Sequence, residues 1–246
     1  MNWRYLAGAS VSRAAHFLLS RPYFPPLRAI PYNWSVCYDI KRFAPEENMS
    51  IIFDVGANIG QSVDRFRPYF PNALIHCFEP SKSDYETLRS RYEGDKLLFS
   101  HNIAIGSEDG EKVIYISTDS SELNTFIPNS DSRFDKKENV KIKTIDSIIT
   151  EFSINLIDIL KIDVQGWEPA VLQGATNSIN DGKIKFVFIE CGFNENSTEM
   201  TSISIINSEL TKNGFKFCGI YDQFRWGDNR EVYFANALYM HKSFMS

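Results

Sequence analysis

The sequence predicts an α/β protein with a mostly parallel β-sheet, helices on both of its faces and an antiparallel hairpin that closes one edge. Three observations support this fold class. Short apolar runs alternate with segments of helical periodicity from Ile51 onward. A turn with Gly56 and Gly60 four residues apart follows the first apolar run. Near the C-terminus, two strand-like runs flank residues 227–229, whose sequence Gly-Asp-Asn is typical of a hairpin turn.

Seven apolar runs have the composition of strands in the main sheet. Strands whose two faces are both covered by helices are expected to be apolar along their whole length. The predicted strands cover residues 51–53, 74–79, 97–105, 158–163, 184–190, 215–224 and 232–241.

Helices are predicted between these strands because apolar residues recur there every three or four positions. Ser81 and Asp84 have the spacing of a capping box that begins one helix. Pro169 marks the start of a later helix and Gly214 the end of another. A short helix is expected within residues 32–48. Four more helices follow, and their expected core-facing residues are, in chain order, Val63, Phe66 and Phe70; Tyr85, Leu88 and Tyr92; Val171, Leu172, Ala175 and Ile179; and Ile203, Ile206 and Leu210.

Two further strand-like runs, residues 112–117 and 140–145, interrupt the alternation and predict a small β insertion. The polar segment between them, about residues 118–139, is long for an unstructured connection in a compact domain. Long loops of this kind are often functional lids, so we expect this segment to help select the substrate.

The chain has 246 residues, 43% of them hydrophobic, which suits one α/β domain with attachments. Its formal net charge of −5 argues against a nucleic-acid-binding protein. Residues 1–44 carry a net charge of +5 and the remainder, by difference, −10. We therefore divide the chain into a basic N-terminal helical extension with a proline-rich connector, residues 1–48, and an α/β domain, residues 49–246.

The sequence also bears on cellular location. The cysteines are widely spaced, and we expect buried thiols rather than disulfides or zinc ligands, as in a reducing compartment. No apolar run reaches the roughly 20 residues of a transmembrane helix. We expect a cytoplasmic protein with no transmembrane segment. Its basic residues 1–21 either pack on the domain or contact a membrane surface or a partner. The four cysteines are Cys37, Cys77, Cys191 and Cys218.

The glycine turn distinguishes two classes of ligand. Dinucleotide sites use Gly-x-Gly-x-x-Gly to place pyrophosphate on bare backbone, whereas this chain has Gly56-x-x-x-Gly60 preceded by Asp54. A carboxylate at that point repels pyrophosphate and attracts the ammonium and sulfonium of S-adenosyl-L-methionine. The cofactor's own carboxylate can accept hydrogen bonds from free N–H groups of the turn. Glu79, at the end of the next strand, can accept hydrogen bonds from the ribose hydroxyls. The alternative, that both acids only cap helices, stays open.

Several blocks of the chain resemble, in order, those of the FkbM family of methyltransferases. The resemblance covers about residues 50–193. It implies a class I (Rossmann-like) fold with a seven-stranded sheet, and it makes residues 49–246 an S-adenosylmethionine-binding domain. It further implies O-methylation of a saccharide or a related small hydroxylated product. The matching blocks are Phe53–Gln61, Phe78–Pro80, Ala104–Gly106, Leu160–Glu168, Val171–Ala175 and Val187–Glu190.

Carried over by position, the resemblance also implies site residues. Asn102 is expected near the adenine. The family commonly has Glu where this chain has Gln165, so this chain lacks one charge at that position. The residues expected to contact the cofactor are Asp54, Gly56, Asn58, Gly60 and Glu79.

The candidate catalytic residues lie at the carboxyl ends of the middle strands, where open sheets bind ligands. Asp163 is the first choice for a general base and Glu190 the second. Lys161 lies on the same strand face as Asp163 and either takes part in catalysis or only pairs with it. No clustered acid motif accompanies these residues, so we assign no metal. Trp167 and Trp226 are candidates for stacking on a sugar ring.

Two other functions stay open. One is a nucleotide-dependent oxidoreductase or sugar-modifying enzyme, which the missing Gly-x-Gly-x-x-Gly disfavours. The other is a non-catalytic cofactor-binding module, which the amide at Gln165 makes conceivable.

Overall fold

A computed structural model describes residues 31–45, 47–117, 121, 124–126, 136–195, 197, 200–225 and 231–245. Several predicted features lie outside these residues. They are the helix within residues 1–21, most of the proline-rich connector, Trp226, the hairpin turn at 227–229 and most of the polar segment 118–139.

The secondary structure alternates as predicted from Ile51 onward. The strands are β1 (Ile51–Val55), β2 (Leu74–Phe78), β3 (Leu98–His101), β4 (Ala104–Ile105), β5 (Gly110–Ile116), β6 (Lys136–Lys143), β7 (Ile157–Ile162), β8 (Ile184–Gly192), β9 (Phe215–Phe224) and β10 (Phe234–His241). The helices are α1 (Val36–Phe43), α2 (Gln61–Phe66), α3 (Lys82–Arg91), α4 (Ile145–Glu151), α5 (Glu168–Gln173), α6 (Thr176–Asn180) and α7 (Ile203–Lys212), followed by a short 3₁₀ helix, Lys242–Phe244.

A seven-stranded sheet forms the centre of the described chain, in the order β3-β2-β1-β7-β8-β10-β9. The first five strands of this order are mutually parallel. β10 runs antiparallel to both of its neighbours. The predicted fold class is confirmed, including the closing hairpin and the small β insertion.

Each face of the main sheet buries its own hydrophobic cluster. On one face, α1, α2 and α3 contribute Ile40, Phe66 and Leu88, which pack with strand residues such as Ile159. On the opposite face, α4 to α7 cover strand residues such as Leu160. Helices on both faces explain why the parallel strands are apolar throughout.

The insertion is a separate three-stranded sheet in the order β4-β6-β5. The strand predicted within residues 97–105 is present as β3 but covers only part of this run, because the chain leaves the main sheet at Asn102 and joins the small one at Ala104. The strand predicted to reach Ile145 also ends earlier, and a helix begins there. Thr144 Oγ1 accepts from the N–H of Ser147 at 3.0 Å, and Ser147 Oγ accepts from the N–H of Thr144 at 3.2 Å. This reciprocal cap begins α4.

The capping box predicted for Ser81 and Asp84 is wrong. The hydroxyl of Ser81 lies 3.1 Å from that of Ser83, and Asp84 Oδ2 accepts from Asn124 Nδ2 at 3.0 Å. The N–H of Ser81 donates instead to Glu79 Oε1 at 2.8 Å. The start of α3 is therefore held by the acid that ends β2.

The single helix predicted after Pro169 is divided into α5 and α6. A Cβ atom at Gly174, between them, would lie 1.9 Å from the carbonyl oxygen of Gly106. The two backbone segments touch here, which links the helices to the small sheet.

Two other expectations concern the cysteines and membrane helices. The four cysteines are free, with Cys37, Cys77 and Cys191 buried. Across the described ranges, no helix combines the length and apolar character needed to cross a membrane.

Buried His76 and half-buried His101 form a pair in an aromatic stack on β2 and β3. His76 Nδ1 and His101 Nε2 are 3.2 Å apart, and their rings are parallel. His76 also packs against Phe99 and Phe152. Burial and, to a smaller extent, the neighbouring His101 lower the pKa of His76 to about 4. The imidazole of His76 is therefore neutral near pH 7.

We predict that His76 makes the protein sensitive to acid. The pKa of His76 is about 4 when folded and 6.5 in a free imidazole, so the unfolded chain binds more protons between these values. Stability is complete above pH 6.5 and falls as the pH approaches 4. From pH 7 to 5, wild type should lose about 2 kcal/mol of unfolding free energy that His76→Phe retains, as measured by urea denaturation. Phe152→Leu, in the same stack, should lose as much as wild type. An unchanged acid response in His76→Phe would contradict the prediction.

Candidate functional site

The carboxyl ends of β1, β2, β7 and β8 meet at one edge of the main sheet. They bring together Asp54, Glu79, Asp163 and Glu190, the acids that the sequence indicated. Ligands bind at this edge in open α/β sheets.

The turn after β1 is held by the neighbouring strands. Gly56 has φ +78°, and a Cβ atom there would lie 1.8 Å from the carbonyl oxygen of Asp163. The N–H groups of Gly56 and Ala57 both donate to Phe78 O at 3.1 Å. Asn58 N–H donates to Glu79 and Gly60 N–H to Ala57 O. These four N–H groups already donate to protein acceptors. The expectation that they are free to bind the carboxylate of the cofactor is therefore wrong for these four groups.

Glu79 joins the turn to helix α3. Its Oε2 accepts from Asn58 N–H and its Oε1 from Ser81 N–H, both at 2.8 Å. Each carboxylate oxygen has room for a second donor. Burial raises the pKa of Glu79 to about 8, although the two N–H donors oppose this rise.

A cleft of about 600 Å³ begins beside Glu79. Asn102 lies at one wall, with its Nδ2 donating to the carbonyl oxygens of Glu79 and Pro80 at 3.0 and 2.9 Å. Residues Glu138 to Lys141 of β6 form the opposite wall. The volume falls within the usual range for small-molecule sites. Glu79 is itself buried, and its neighbour Pro80 lines this cleft, which is large enough for a purine.

In the described structure, Gly60 allows the ring of Tyr92 to pack closely against the backbone of the turn. It has φ +92°, and a Cβ atom there would lie 2.4 Å from the ring of Tyr92. The hydroxyl of Tyr92 donates to Gly60 O at 2.7 Å. Its contact with a cofactor stays a prediction.

Lys161 is buried between two carboxylates. Its Nζ lies 3.2 Å from Asp54 Oδ1 and 3.2 Å from Asp163 Oδ2. Burial alone would lower the pKa of Lys161, but Asp163 and Asp54 raise it well above its ordinary value. Burial raises the pKa of Asp54, which the Lys161 ammonium opposes. Lys161 is therefore an ammonium that compensates the two acids, and it cannot serve as a base near neutral pH.

Glu190 and Gln165 complete this polar cluster. Gln165 has φ +50°, and its Nε2 lies 3.0 Å from Glu190 Oε2 and 3.4 Å from Asp163 Oδ1. Burial, then the nearby charges of Asp163 and Glu168, raise the pKa of Glu190 well above its ordinary range. Asp163 is the more accessible of the two strand-end acids, with 32% of its side chain exposed.

Glu168 is a buried acid that the sequence reasoning did not single out. Its Oε1 accepts from the N–H groups of Val164 and Gly166, and its Oε2 from Thr201 Oγ1 at 2.5 Å. These bonds fix the turn that carries Gln165. The sequence did contain a signal for Glu168, because this residue ends the Leu160–Glu168 block that resembles the family.

Parts of the polar segment after β5 reach this edge. Ser121 Oγ accepts from Asn58 Nδ2 at 2.9 Å, and Thr125 Oγ1 donates to Gln165 O at 3.0 Å. Asn124 bonds Asp84, as described above. The described residues of the segment therefore contact the turns after both β1 and β7, as expected for a segment near the substrate.

Trp167, a candidate for stacking on a sugar ring, and His241 both contact other groups of the protein. Trp167 packs against Phe126 and lies under Lys112 Nζ, 4.2 Å from its ring centre. His241 accepts from the N–H of Ser243 at the 3₁₀ helix. In the described part of the chain, no group of three His, Cys, Asp or Glu side chains is arranged to hold a metal ion.

A second cavity, of about 700 Å³, opens at the opposite edge of the sheet. Asp158 and Lys185 line it, 2.7 Å apart, and Lys185 also pairs with Glu47. It lies at the amino ends of the strands, away from the acids described above, so we place the functional site at the carboxyl edge despite the larger volume here.

Comparison with known proteins gives a family. A model described as the Methyltransferase FkbM domain matches residues 54–217. The chain is 25% identical over 157 residues to Methyltransferase 1 of Beauveria bassiana, covering 56% of this chain and 62% of that protein. It is 24% identical over 153 residues to the 2-O-methyltransferase NoeI of Sinorhizobium fredii, covering 57% and 62%. It is 25% identical over 172 residues to the hexuronic acid methyltransferase AglP of Haloferax volcanii, covering 68% and 67%. The chain thus spans about 62% of the length of the first two relatives.

Solved structures are similar at lower identity. The chain is 13% identical to TrmK of M. capricolum in complex with S-adenosyl-homocysteine, with a TM-score of 0.43 and coverage of 82% of this chain and 67% of that one. It is 13% identical to fibrillarin of Aeropyrum pernix with bound S-adenosyl-L-methionine, with a TM-score of 0.44 and coverage of 78% and 66%. The resemblance seen in the sequence blocks is confirmed by the family match, which spans more than half of the 246 residues. The chain belongs to the FkbM methyltransferase domain family.

Proposed function

We propose that this protein transfers a methyl group from S-adenosyl-L-methionine to a hydroxyl oxygen of a saccharide or a related small hydroxylated product. The observation that carries the proposal is the arrangement of Glu79 beside the cleft and of Lys161, Asp163 and Glu190 at the same sheet edge. Two relatives named as a 2-O-methyltransferase and a hexuronic acid methyltransferase support oxygen on a sugar as the acceptor.

The residues present fit such a cofactor. Glu79 can accept both ribose hydroxyls while keeping its two backbone donors. Asn102 lines the cleft that would hold the adenine. Asp54 is fully buried against Lys161, so its part is to fix the floor of the site near the sulfonium. When bound, the cofactor supplies an activated methyl group.

The protein must then align the acceptor and remove one proton. Asp163 is the proposed base because it is the more accessible of the two strand-end acids and Lys161 Nζ, 3.2 Å away, fixes its position. Burial and the nearby charges of Asp163 and Glu168 raise the pKa of Glu190, which favours the protonated form that can donate a hydrogen bond to the acceptor. Gln165 holds the two acids in place and adds no charge.

The first experiment measures cofactor binding. S-adenosyl-homocysteine should bind in isothermal titration calorimetry, and Glu79→Ala should raise its Kd by about tenfold or more because a charged hydrogen-bond acceptor is lost. Asp54→Ala should also weaken binding, because Asp54 is the proposed support of the site near the sulfonium. The controls are Glu93→Ala and Asp181→Ala, two exposed acids away from this edge. Binding of NAD instead, or unchanged affinity in both site variants, would sink the proposed site.

Cofactor affinity should also depend on pH through Glu79. Its pKa of about 8 means that the carboxyl is protonated at lower pH, and its proton must leave before it can accept two hydroxyl donors. The Kd for S-adenosyl-homocysteine should therefore decrease by roughly tenfold from pH 6.5 to 8.5. Glu79→Ala should lose this component, and comparison with it cancels any titration of the ligand. Parallel pH profiles for the two proteins would contradict the assignment.

Turnover tests the base. Purified protein is incubated with methyl-labelled S-adenosyl-L-methionine and glycan extracts, and labelled products are identified by mass spectrometry. Asp163→Asn should lower the rate by about 100-fold or more while leaving S-adenosyl-homocysteine affinity within about threefold. After chemical acetylation, an O-methylated product should carry one acetyl group fewer than its unmethylated precursor, because the methylated oxygen can no longer be acetylated. A full rate in Asp163→Asn would exclude it as the base, and cofactor binding without any labelled product would favour the non-catalytic module.

A further inference from the structure

The face of the sheet that carries Lys161 continues past Glu190 into residues with no part in the proposed transfer. β10 pairs antiparallel with β8, which places Asn236 opposite Glu190 and Phe234 opposite Gly192. Register partners of an antiparallel pair present their side chains on the same face. A strip therefore runs from Asp163 through Glu190 and Asn236 to Phe234.

Asn236 has an unsatisfied acceptor in this strip. Its Oδ1 is buried and has no hydrogen-bond partner among the described residues. Within the described part of the chain, its Nδ2 donates to Asp222 Oδ2 at the long distance of 3.4 Å. Buried acceptors without a donor are costly and uncommon in native proteins. The residue as a whole is half-buried, so a small rotation of its side chain would bring Oδ1 to a ligand hydroxyl, which would supply the missing donor.

An aromatic pair adjoins Asn236. Phe224 and Phe234 stack with ring centres 4.9 Å apart and planes at 17°, and both are half-buried. The register of β9 shifts between the partners of Phe234 and Asn236, with Asp222 at φ +52°. Such bulges re-aim side chains near functional sites. Phe234 and Asn236 are two residues apart on one strand, about 6.8 Å, which is close to the width of a six-membered sugar ring.

The charges along the strip disfavour an anionic ligand. Asp163 and Asp222 are both acids. The two described cations nearest them are already paired, Lys161 with Asp54 and Asp163, and Arg65 with Asp222. A carboxylate or phosphate on the ligand would meet the acids Asp163 and Asp222, whose cation partners Lys161 and Arg65 are already engaged. A neutral polyol would meet acceptors for its hydroxyls.

We propose that this strip is the acceptor subsite and that it takes a neutral pyranoside. One face of the ring packs on Phe224 and Phe234, one hydroxyl donates to Asn236 Oδ1, and a neighbouring hydroxyl lies toward Asp163. The inference rests on the proposed methyl transfer to a saccharide and narrows it to an uncharged ring.

The test uses the full chain saturated with S-adenosyl-homocysteine. The probes are methyl α-D-glucopyranoside, methyl α-D-mannopyranoside, methyl β-D-galactopyranoside and methyl α-L-rhamnopyranoside, with methyl β-D-glucuronide as the anionic counterpart. Saturation-transfer difference NMR at up to about 20 mM probe gives each Kd. At least one neutral pyranoside should bind, and more tightly than the glucuronide. Asn236→Ala and the conservative Phe224→Leu should each raise its Kd by about tenfold.

Matched controls separate the subsite from general effects on the fold. Phe217→Leu changes an exposed phenylalanine, 48% accessible, toward the other end of β9, and Asn177→Ala changes an exposed asparagine on α6. Both should keep the wild-type Kd for the pyranoside, and all four variants should keep the wild-type Kd for S-adenosyl-homocysteine. Normal cofactor binding with unchanged pyranoside affinity in both site variants would overturn the subsite alone. So would tighter binding of the glucuronide, or no pyranoside binding at all. Failure of wild type to bind S-adenosyl-homocysteine would overturn the proposed function and, with it, this subsite.

Discussion

The buried ammonium of Lys161 is the interaction on which the carboxyl edge of the sheet depends. It joins Asp54 on β1 to Asp163 after β7 at 3.2 Å each. Two carboxylates this close together need a cation, and a buried ammonium needs both of them. Removing one partner from such a buried group typically costs about 3–5 kcal/mol. The contact is possible only because Gly56 has no side chain where the Asp163 carbonyl passes.

Other parts of the site follow from this arrangement. The turn that Gly56 opens donates two N–H groups to Phe78 O and a third to Glu79, so the end of β2 is tied to the end of β1. On the other side, Gln165 extends the cluster to Glu190 on β8. Four neighbouring strands thus place their terminal residues relative to one another through polar contacts, above a core that is apolar on both faces. The cofactor and acceptor ends of the proposed site are consequently built on one rigid edge.

The fold was predictable because its main signals are local. Parallel strands buried on both faces are apolar runs, and helices between them repeat every three or four residues. The errors arose where a long-range contact decided the local structure. The run 97–105 reads as one strand, yet its two ends pair with different sheets. Ser81 and Asp84 have the spacing of a capping box, but the N–H of Ser81 donates to Glu79 instead of Asp84. Thr144 and Ser147 did carry a helix signal in the sequence, masked by the apolar run before them.

The site was predictable to a similar depth. Acids at strand ends come together once the strands are parallel, so Asp54, Glu79, Asp163 and Glu190 could be named from the sequence. The protonation of these acids could not be predicted from the sequence, because burial and neighbouring charges in the folded protein set the pKa values of Glu79 and Glu190. Asn236 was missed for a different reason. A polar residue in an apolar strand is a visible signal, but its meaning comes from the register that sets it beside Glu190.

The contact between Gly106 and Gly174 determines how much the insertion can vary. Here the small sheet meets the α5–α6 junction with no space for a methyl group on Gly174, and Gly106 N–H donates to Lys143 O at 3.0 Å. The base of the insertion is therefore locked to the helix pair that follows Gln165. Loop length beyond such an anchor has only a small entropic effect, because closure entropy grows slowly with length. We therefore expect designed chimaeras to tolerate exchange of the segment between β5 and β6, which we propose helps to select the acceptor, provided that both glycines are kept.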